Sequence, residues 1–213
     1  MAEPGIFEII HSTRAMRRLK PDPIPDDILK KIVDAGIRAP SGGNSQEWAF
    51  LLVRDSDLKR FIRDYYWNTW QQMRAQRTIP MTNIPPAQQR MLNAAADLAA
   101  NLDEAPVILL ACAHKEYAPI AAMHNPRAST LVVHASIFPA VQNMLLACRA
   151  LGVGATLTTI HCFFEEELKQ KLGIPDTMEV SALIPMGYPQ GKFGPVSRNP
   201  VEEVIHWDRW GNQ

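Results

Sequence analysis

The stretch Pro40–Trp48, PSGGNSQEW, is a tight polar turn that opens directly into the apolar run WAFLLV, Trp48–Val53. Pro40 stops the helical pattern before it, and Ser41 with the pair Gly42 and Gly43 permits close backbone approach. Asn44 and Gln46 add amide donors and acceptors. WAFLLV has the density of apolar side chains expected of a buried strand. Taken alone, the segment is an ordinary helix-to-strand connection. Its neighbours decide whether it is more.

Upstream, Ile28, Leu29, Ile32, Val33 and Ala35 recur at helical spacing, so a helix is expected from Asp26, which can cap it, to Ala39. Before that helix lies STRAMRRLKPDPIP, whose prolines at Pro21, Pro23 and Pro25 enforce extended chain, and a short helix over Ile6–His11 precedes it. Arg14, Arg17, Arg18 and Lys20 lie close enough in this segment to converge on one anion. Guanidinium groups bind phosphate with two donors at once.

Downstream, a helix is expected from Asp55 to Tyr66, with Leu58, Phe61 and Ile62 on one face. Tyr65–Ile84 is rich in Tyr and Trp but has little clean periodicity. Gln88–Leu102 returns to helical spacing, and PVILLACA, Pro106–Ala113, reads as a strand buried on both faces. An irregular loop follows over His114–Arg127, then a central helix over Thr130–Leu151 with Gly152 near its C-cap. GVGATLTTI continues as an edge strand. Glu165–Leu172 is a short helix, acidic at its start and basic at its end, and Val180–Met186 is another apolar strand. The tail, Gly191–Gln213, is loop-like, with Ser197 and Arg198 in GPVSRNP. No repeat or linker divides the chain, so residues 1–213 read as one mixed α/β or α+β domain.

Charge and composition narrow the function classes. With 22 Lys plus Arg against 22 Asp plus Glu in 213 residues, no net field draws the chain to nucleic acid or to an anionic membrane, and any anion site is local. MAEPGIFEII has an acidic rather than a basic start and no long apolar core, so no secretory signal is expected and the protein reads as cytoplasmic. Leu131–Leu151 is interrupted by His134, Pro139, Gln142, Asn143 and Arg149, which favours a buried helix over a membrane span. Cys112, Cys148 and Cys162 stand singly in apolar segments and read as reduced core residues. The six histidines show no metal-site spacing. Gly152 and Gly154 are too few for a dinucleotide fingerprint, and Ser41 and Ser45 lack the context of a nucleophile elbow.

Four pieces occur in one order: TRAMRRLKPDPIPDD, PSGGNSQEW, PAVQNMLLACRALGVGATLTT and IPMGYPQGKFGPVSRNPVEEVIHWD. That order resembles the nitroreductase family over nearly the whole chain, except for about 67–102, a variable stretch expected to serve as lid or dimer contact. The resemblance implies an α+β, three-layer fold, with a mainly antiparallel sheet flanked by helices, and an intertwined homodimer binding FMN at its interface. It implies that Arg14 and Arg198 hold the FMN phosphate, with Ala15 and Met16 beside them, and that Arg17 lies near the flavin pyrimidine edge. Pro40, Ser41, Gly42, Asn44 and Gln46 match a flavin loop supplied by the partner chain. Thr156, Leu157 and Thr158 match the segment beside the ring, where a backbone N–H reaches flavin N5. Ala15 stands where a serine is common, Glu47 where a proline is usual, and Val196 where some members carry a second phosphate-binding cation.

The activity implied is ping-pong hydride transfer from NADH or NADPH through FMN to an electron-poor small molecule such as a nitroaromatic or quinone. No catalytic side chain and no metal is required. Two alternatives stay open: a flavin-binding relative with other chemistry, reductive dehalogenation or flavin fragmentation, and a flavin-binding dimer without turnover.

Overall fold

PVILLACA becomes the centre of the sheet. The structure is a computed structural model that describes residues 4–76, 84–115 and 126–212. In chain order its main elements are α1 (Ile6–Ser12), α2 (Asp26–Gly36), β1 (Trp48–Val53), α3 (Ser56–Ala75), α4 (Pro86–Ala100) and β2 (Val107–His114). They continue with α5 (Pro126–Ala150), β3 (Gly154–Ala155), α6 (Glu165–Leu172) and β4 (Met178–Gly187). The strands pair antiparallel in the order β1-β2-β4-β3.

Side chains alternate across β2, as strand geometry requires. Leu109, Ala111 and Ala113 join Leu29 and Ile32 of α2 and Ile137, Val141 and Met144 of α5 on one face. Ile108, Leu110 and Cys112 join Ile62 and Tyr66 of α3, Leu98 and Ala99 of α4 and Leu168 of α6 on the other. The result is three layers, helix, sheet and helix, as the α+β reading expects. Each fully buried Leu or Ile in these clusters stabilises the fold by about 1.5–3 kcal/mol relative to exposure. The β2–β4 register shifts between Ala111 and Cys112, which pair with Ala182 and Val180, so Ser181 is the extra residue of a bulge. That one-residue slip turns Val180 to the second face, where it packs with Cys112.

Several elements depart from the sequence expectations for identifiable reasons. β1 keeps its expected limits but lies at the sheet edge, mostly half-buried with Ala49 exposed, because among the described residues no strand pairs with its outer side. α2 ends at Gly36, short of Ala39, and Pro25 rather than Asp26 takes its N-cap. Asp26 instead pairs with Arg54 at 2.7 Å. α3 is capped by Asp55, whose carboxylate accepts from the Asp57 and Leu58 N–H groups, and it runs on to Ala75.

α5 starts at Pro126, inside the expected loop, and carries Pro139 within it. Thr130–Ala150 is long and apolar enough to cross a membrane; about a third of it is buried, with Val133, Ile137, Val141 and Met144 packed in the core shared with α2 and the sheet. Cys162 is exposed, contrary to the core reading, whereas Cys112 and Cys148 are buried. Residues 77–83 of the aromatic segment and 116–125 of the expected loop lie outside the described residues.

Candidate active site

The basic segment is stitched to the short strand β3. Met16 N–H donates to the Ala155 carbonyl at 3.0 Å, Lys20 N–H to Tyr188 at 2.7 Å, and Gln190 N–H to Arg18 at 3.0 Å. Gly154 permits this approach: a Cβ there would lie 3.0 Å from Met16 Cβ and 3.1 Å from Leu19 Cδ2. The tail returns to the same place, with Val196 N–H donating to the His11 carbonyl at 3.1 Å. The end of α1, the basic segment, β3 and the tail therefore meet beside the C-terminal half of α5.

Between them lies a cavity of about 470 Å³, whose walls include Arg14, Ala15, Arg17, Thr156, Leu157 and Arg198. α5 adds Gln142, Leu145 and Arg149, and the tail adds Phe193 and Val196. Four arginines line this space and, among the described lining residues, no Asp or Glu does. Such a lining favours an anionic ligand carrying an apolar or aromatic body, since Leu145, Leu157 and Phe193 supply the apolar part. Burial holds the Arg17 pKa below its usual value, opposed by the Tyr66 phenol and reinforced by the positive charge of Arg14. Arg17 is a partly desolvated cation with the exposed cation Arg14 nearby, and a bound anion would relieve it.

Not every basic residue converges. Arg18 turns away to Asp97 of α4, with Nε 2.9 Å from the carboxylate, and Lys20 does not line the cavity. Of the four basic residues expected to supply several converging side chains, Arg14 and Arg17 line the cavity, joined by Arg198 and by Arg149, which the sequence pattern does not assign to the site. Arg17 also borders a smaller polar cavity of about 190 Å³ with Asp97, Asn101 and Gln190.

Two expected cofactor residues face elsewhere. The Met16 side chain is buried with Leu19 and Ala105, and its N–H is occupied by Ala155. Thr158 N–H donates to Leu183 O at 2.9 Å, and its hydroxyl shares a 2.9 Å hydrogen bond with Tyr66. Leu157, by contrast, is 37% exposed and lines the cavity, and its N–H has no backbone acceptor among the described residues. Between Leu157 and Thr158 of the segment expected beside the ring, the structure leaves the Leu157 N–H free to reach a ligand.

The loop Pro40–Gln46 is not part of this cavity. A 3-10 turn over Gly42–Asn44 is fastened to α5 by Gly42 N–H donating to Ser136 Oγ at 3.2 Å, and Gln46 N–H donates to Ser41 Oγ at 3.1 Å. Ser136 and Arg149 are separated by about 20 Å of helix axis at 1.5 Å per residue. Gly43, Asn44 and Gln46 have φ of 59°, 55° and 56°. Left-handed backbone at Gln46 costs about 1–3 kcal/mol, and the Gln46 N–H bond to Ser41 Oγ helps to hold it. Among the described residues no group of three or more His, Cys, Asp or Glu could hold a metal ion.

The sequence profile of the Nitroreductase family matches residues 10–188. The chain belongs to that family and is a flavoprotein oxidoreductase. It is 27% identical to an NADH dehydrogenase of Thermus thermophilus over 91% of each chain. Among solved structures it resembles an iodotyrosine deiodinase bound to FMN and 3-iodo-L-tyrosine, with TM-score 0.74, 24% identity and 97% of this chain and 100% of that one covered. It also resembles the NADPH:FMN oxidoreductase of Vibrio harveyi complexed with NAD+, with TM-score 0.70, 21% identity and 98% and 79% covered. These likenesses agree with the three-layer fold expected.

Proposed function

We propose that this chain binds FMN, takes hydride from NADH or NADPH, and passes reducing equivalents to an electron-poor small molecule such as a nitroaromatic or quinone. The observation that carries the reading is the cavity with four guanidinium groups and no described carboxylate. Arg14 and Arg198 suit the cofactor phosphate, while Leu157 N–H and the half-buried Arg17 suit the ring. When bound, the flavin supplies the hydride-accepting and hydride-donating chemistry. The chain binds it, orients it through Arg17 and the 156–157 backbone, and excludes water with Leu145, Leu157 and Phe193.

The reading includes a homodimer in which the partner supplies the loop Pro40–Gln46. Support comes from the separation of that loop from the cavity and from large exposed apolar side chains: Phe7 and Ile10 on α1, and Trp207 and Trp210 in the tail. The likeness to the deiodinase supports a second reading, reductive dehalogenation of an aromatic substrate at the same site. A panel of nitroaromatic, quinone and halophenol acceptors separates the two.

Mass spectrometry of the released cofactor tests the core of the proposal: FMN at one per subunit is expected, and FAD or no flavin contradicts it. Refolding Arg198→Ala chains together with Asn44→Ala chains tests the shared site. Random pairing leaves about a quarter of the sites with both native residues if the loop acts across the interface. No recovery of FMN binding over either variant alone would assign the loop to its own chain or to neither site.

A further inference from the structure

We propose that Arg149, in the last turn of the central helix, is a phosphate ligand of this cavity, binding the phosphate monoester of the flavin. The inference rests on the flavin reading above. Arg149 is half-buried at the cavity wall, its side chain 16% exposed. Its Nε donates to Ser12 Oγ at 2.8 Å, and the Ser12 hydroxyl donates to the Glu8 carbonyl at 2.6 Å. The Ser12 proton is thus committed, which leaves an oxygen lone pair aimed at Arg149. The guanidinium also lies over the Phe193 ring, with Cζ 4.6 Å from its centre. Serine and ring together fix the plane of the fork.

What they leave without a close hydrogen bond among the described residues is the outer edge. The carboxylate paired with Arg149, Glu8, is 3.7 Å from Nη2, beyond hydrogen-bond distance, and 65% exposed. A half-buried guanidinium held by one neutral oxygen and one ring, whose carboxylate partner is distant and exposed, has room for a closer anionic acceptor. Its position relative to the other cations follows from the chain. Ser12, which holds Arg149, is two residues before Arg14. His11, beside it, accepts from Val196, two residues before Arg198. Three guanidinium groups from three elements are thereby tethered to residues 11–12, on a wall where Ala15 and Val196 offer no donor side chain. A phosphate monoester, with three acceptor oxygens, suits a fork held in this way.

A structural rival is a cation that merely complements the C-terminal end of the helix. Titration of the apoprotein with FMN and with riboflavin, read by quenching of flavin fluorescence, separates the two. Arg149→Met keeps the apolar stem and should weaken FMN at least tenfold while changing riboflavin affinity less than twofold. Arg149→Lys should fall between Met and wild type for FMN only. Equal weakening of both flavins, or of neither, overturns the proposal.

Thermal melts in inorganic phosphate provide a readout independent of flavin. The wild type should be stabilised, and Arg149→Met should lose at least half of that shift, whereas an undiminished shift overturns the proposal. If the wild type binds neither flavin, the flavin reading fails by itself, and the phosphate melts still decide whether Arg149 binds the anion. Should Arg149→Met not fold, the same two comparisons are made with Arg149→Lys.

Discussion

The Met16 N–H donates to the Ala155 carbonyl across 3.0 Å, and this bond lays the basic segment against the strand that leads into Thr156 and Leu157. Arg14 and Arg17, on either side of Met16, thereby become walls of one cavity with Leu157. The contact depends on Gly154, where a Cβ would also lie 3.2 Å from the Gly187 carbonyl. Gly154→Val should therefore push the segment away, with overpacking costing about 1–3 kcal/mol. Both the melting temperature and flavin retention are expected to fall, and a variant with native melting and native flavin content contradicts the placement.

Arg198 is exposed and donates through Nη1 to its own neighbour, Ser197 O, at 2.7 Å, so its removal leaves the fold largely untouched. A charge-assisted hydrogen bond to phosphate is worth about 1.5–3 kcal/mol, about ten- to hundredfold in affinity. Arg198→Ala should lose that much FMN affinity in an apoprotein titration. Unchanged affinity removes Arg198 from the site.

Arg17 has another expected effect. Reduced flavin carries negative charge that oxidised flavin lacks, and a half-buried guanidinium beside the ring stabilises the charged form selectively. Arg17→Ala should lower the midpoint potential, by about 30 mV for each 1.4 kcal/mol lost in a two-electron couple. Arg17→Lys should recover most of the shift, because a point charge suffices there. A constant potential accompanied by loss of FMN would make Arg17 a phosphate ligand.

His161 gives a pH dependence of stability. It is fully buried, its Nε2–H donates to Val180 O at 2.5 Å, and its Nδ1 has no partner among the described residues. Burial holds its pKa below the usual imidazole value, against the opposing Val180 bond and the Glu165 charge. Since the folded pKa lies below the unfolded one, the contribution is complete above about pH 6.5 and is lost as pH falls below it. The melting temperature should drop between about pH 6.5 and 5, and His161→Gln should flatten that drop. An identical pH profile in the variant contradicts the assignment.

Much of the frame is legible in the sequence because it is written in local periodicity. Trp48–Val53 and Glu165–Leu172 have the limits read from the sequence, one set by its apolar run and the other by its charge polarity and Gly173. The second half of α3 is obscured by Tyr65, Tyr66, Trp67 and Trp70, whose close succession blurs the helical period although all four pack into the second core. The bulge at Ser181 leaves no local signal, since only the two cores it serves reveal it. Arg14, Arg17, Leu157 and Arg198 are readable as site candidates through resemblance. Arg149 is not, because its place depends on Ser12 and Phe193, which are far away in sequence and adjacent in space. The resemblance sets Thr158 beside a ring, and only the fold shows that Leu183 and Tyr66 already hold it.

The central claim, that the cavity holds a flavin which a nicotinamide reduces and a small acceptor reoxidises, is tested most directly by anaerobic titration of the purified protein with NADH and with NADPH. Loss of the flavin's visible absorption with one equivalent of at least one donor, and its return on adding a nitroaromatic or quinone, is the predicted result. A yellow protein that neither donor bleaches would be a flavin-binding dimer without this turnover, and that result would contradict hydride transfer from a nicotinamide at this cavity.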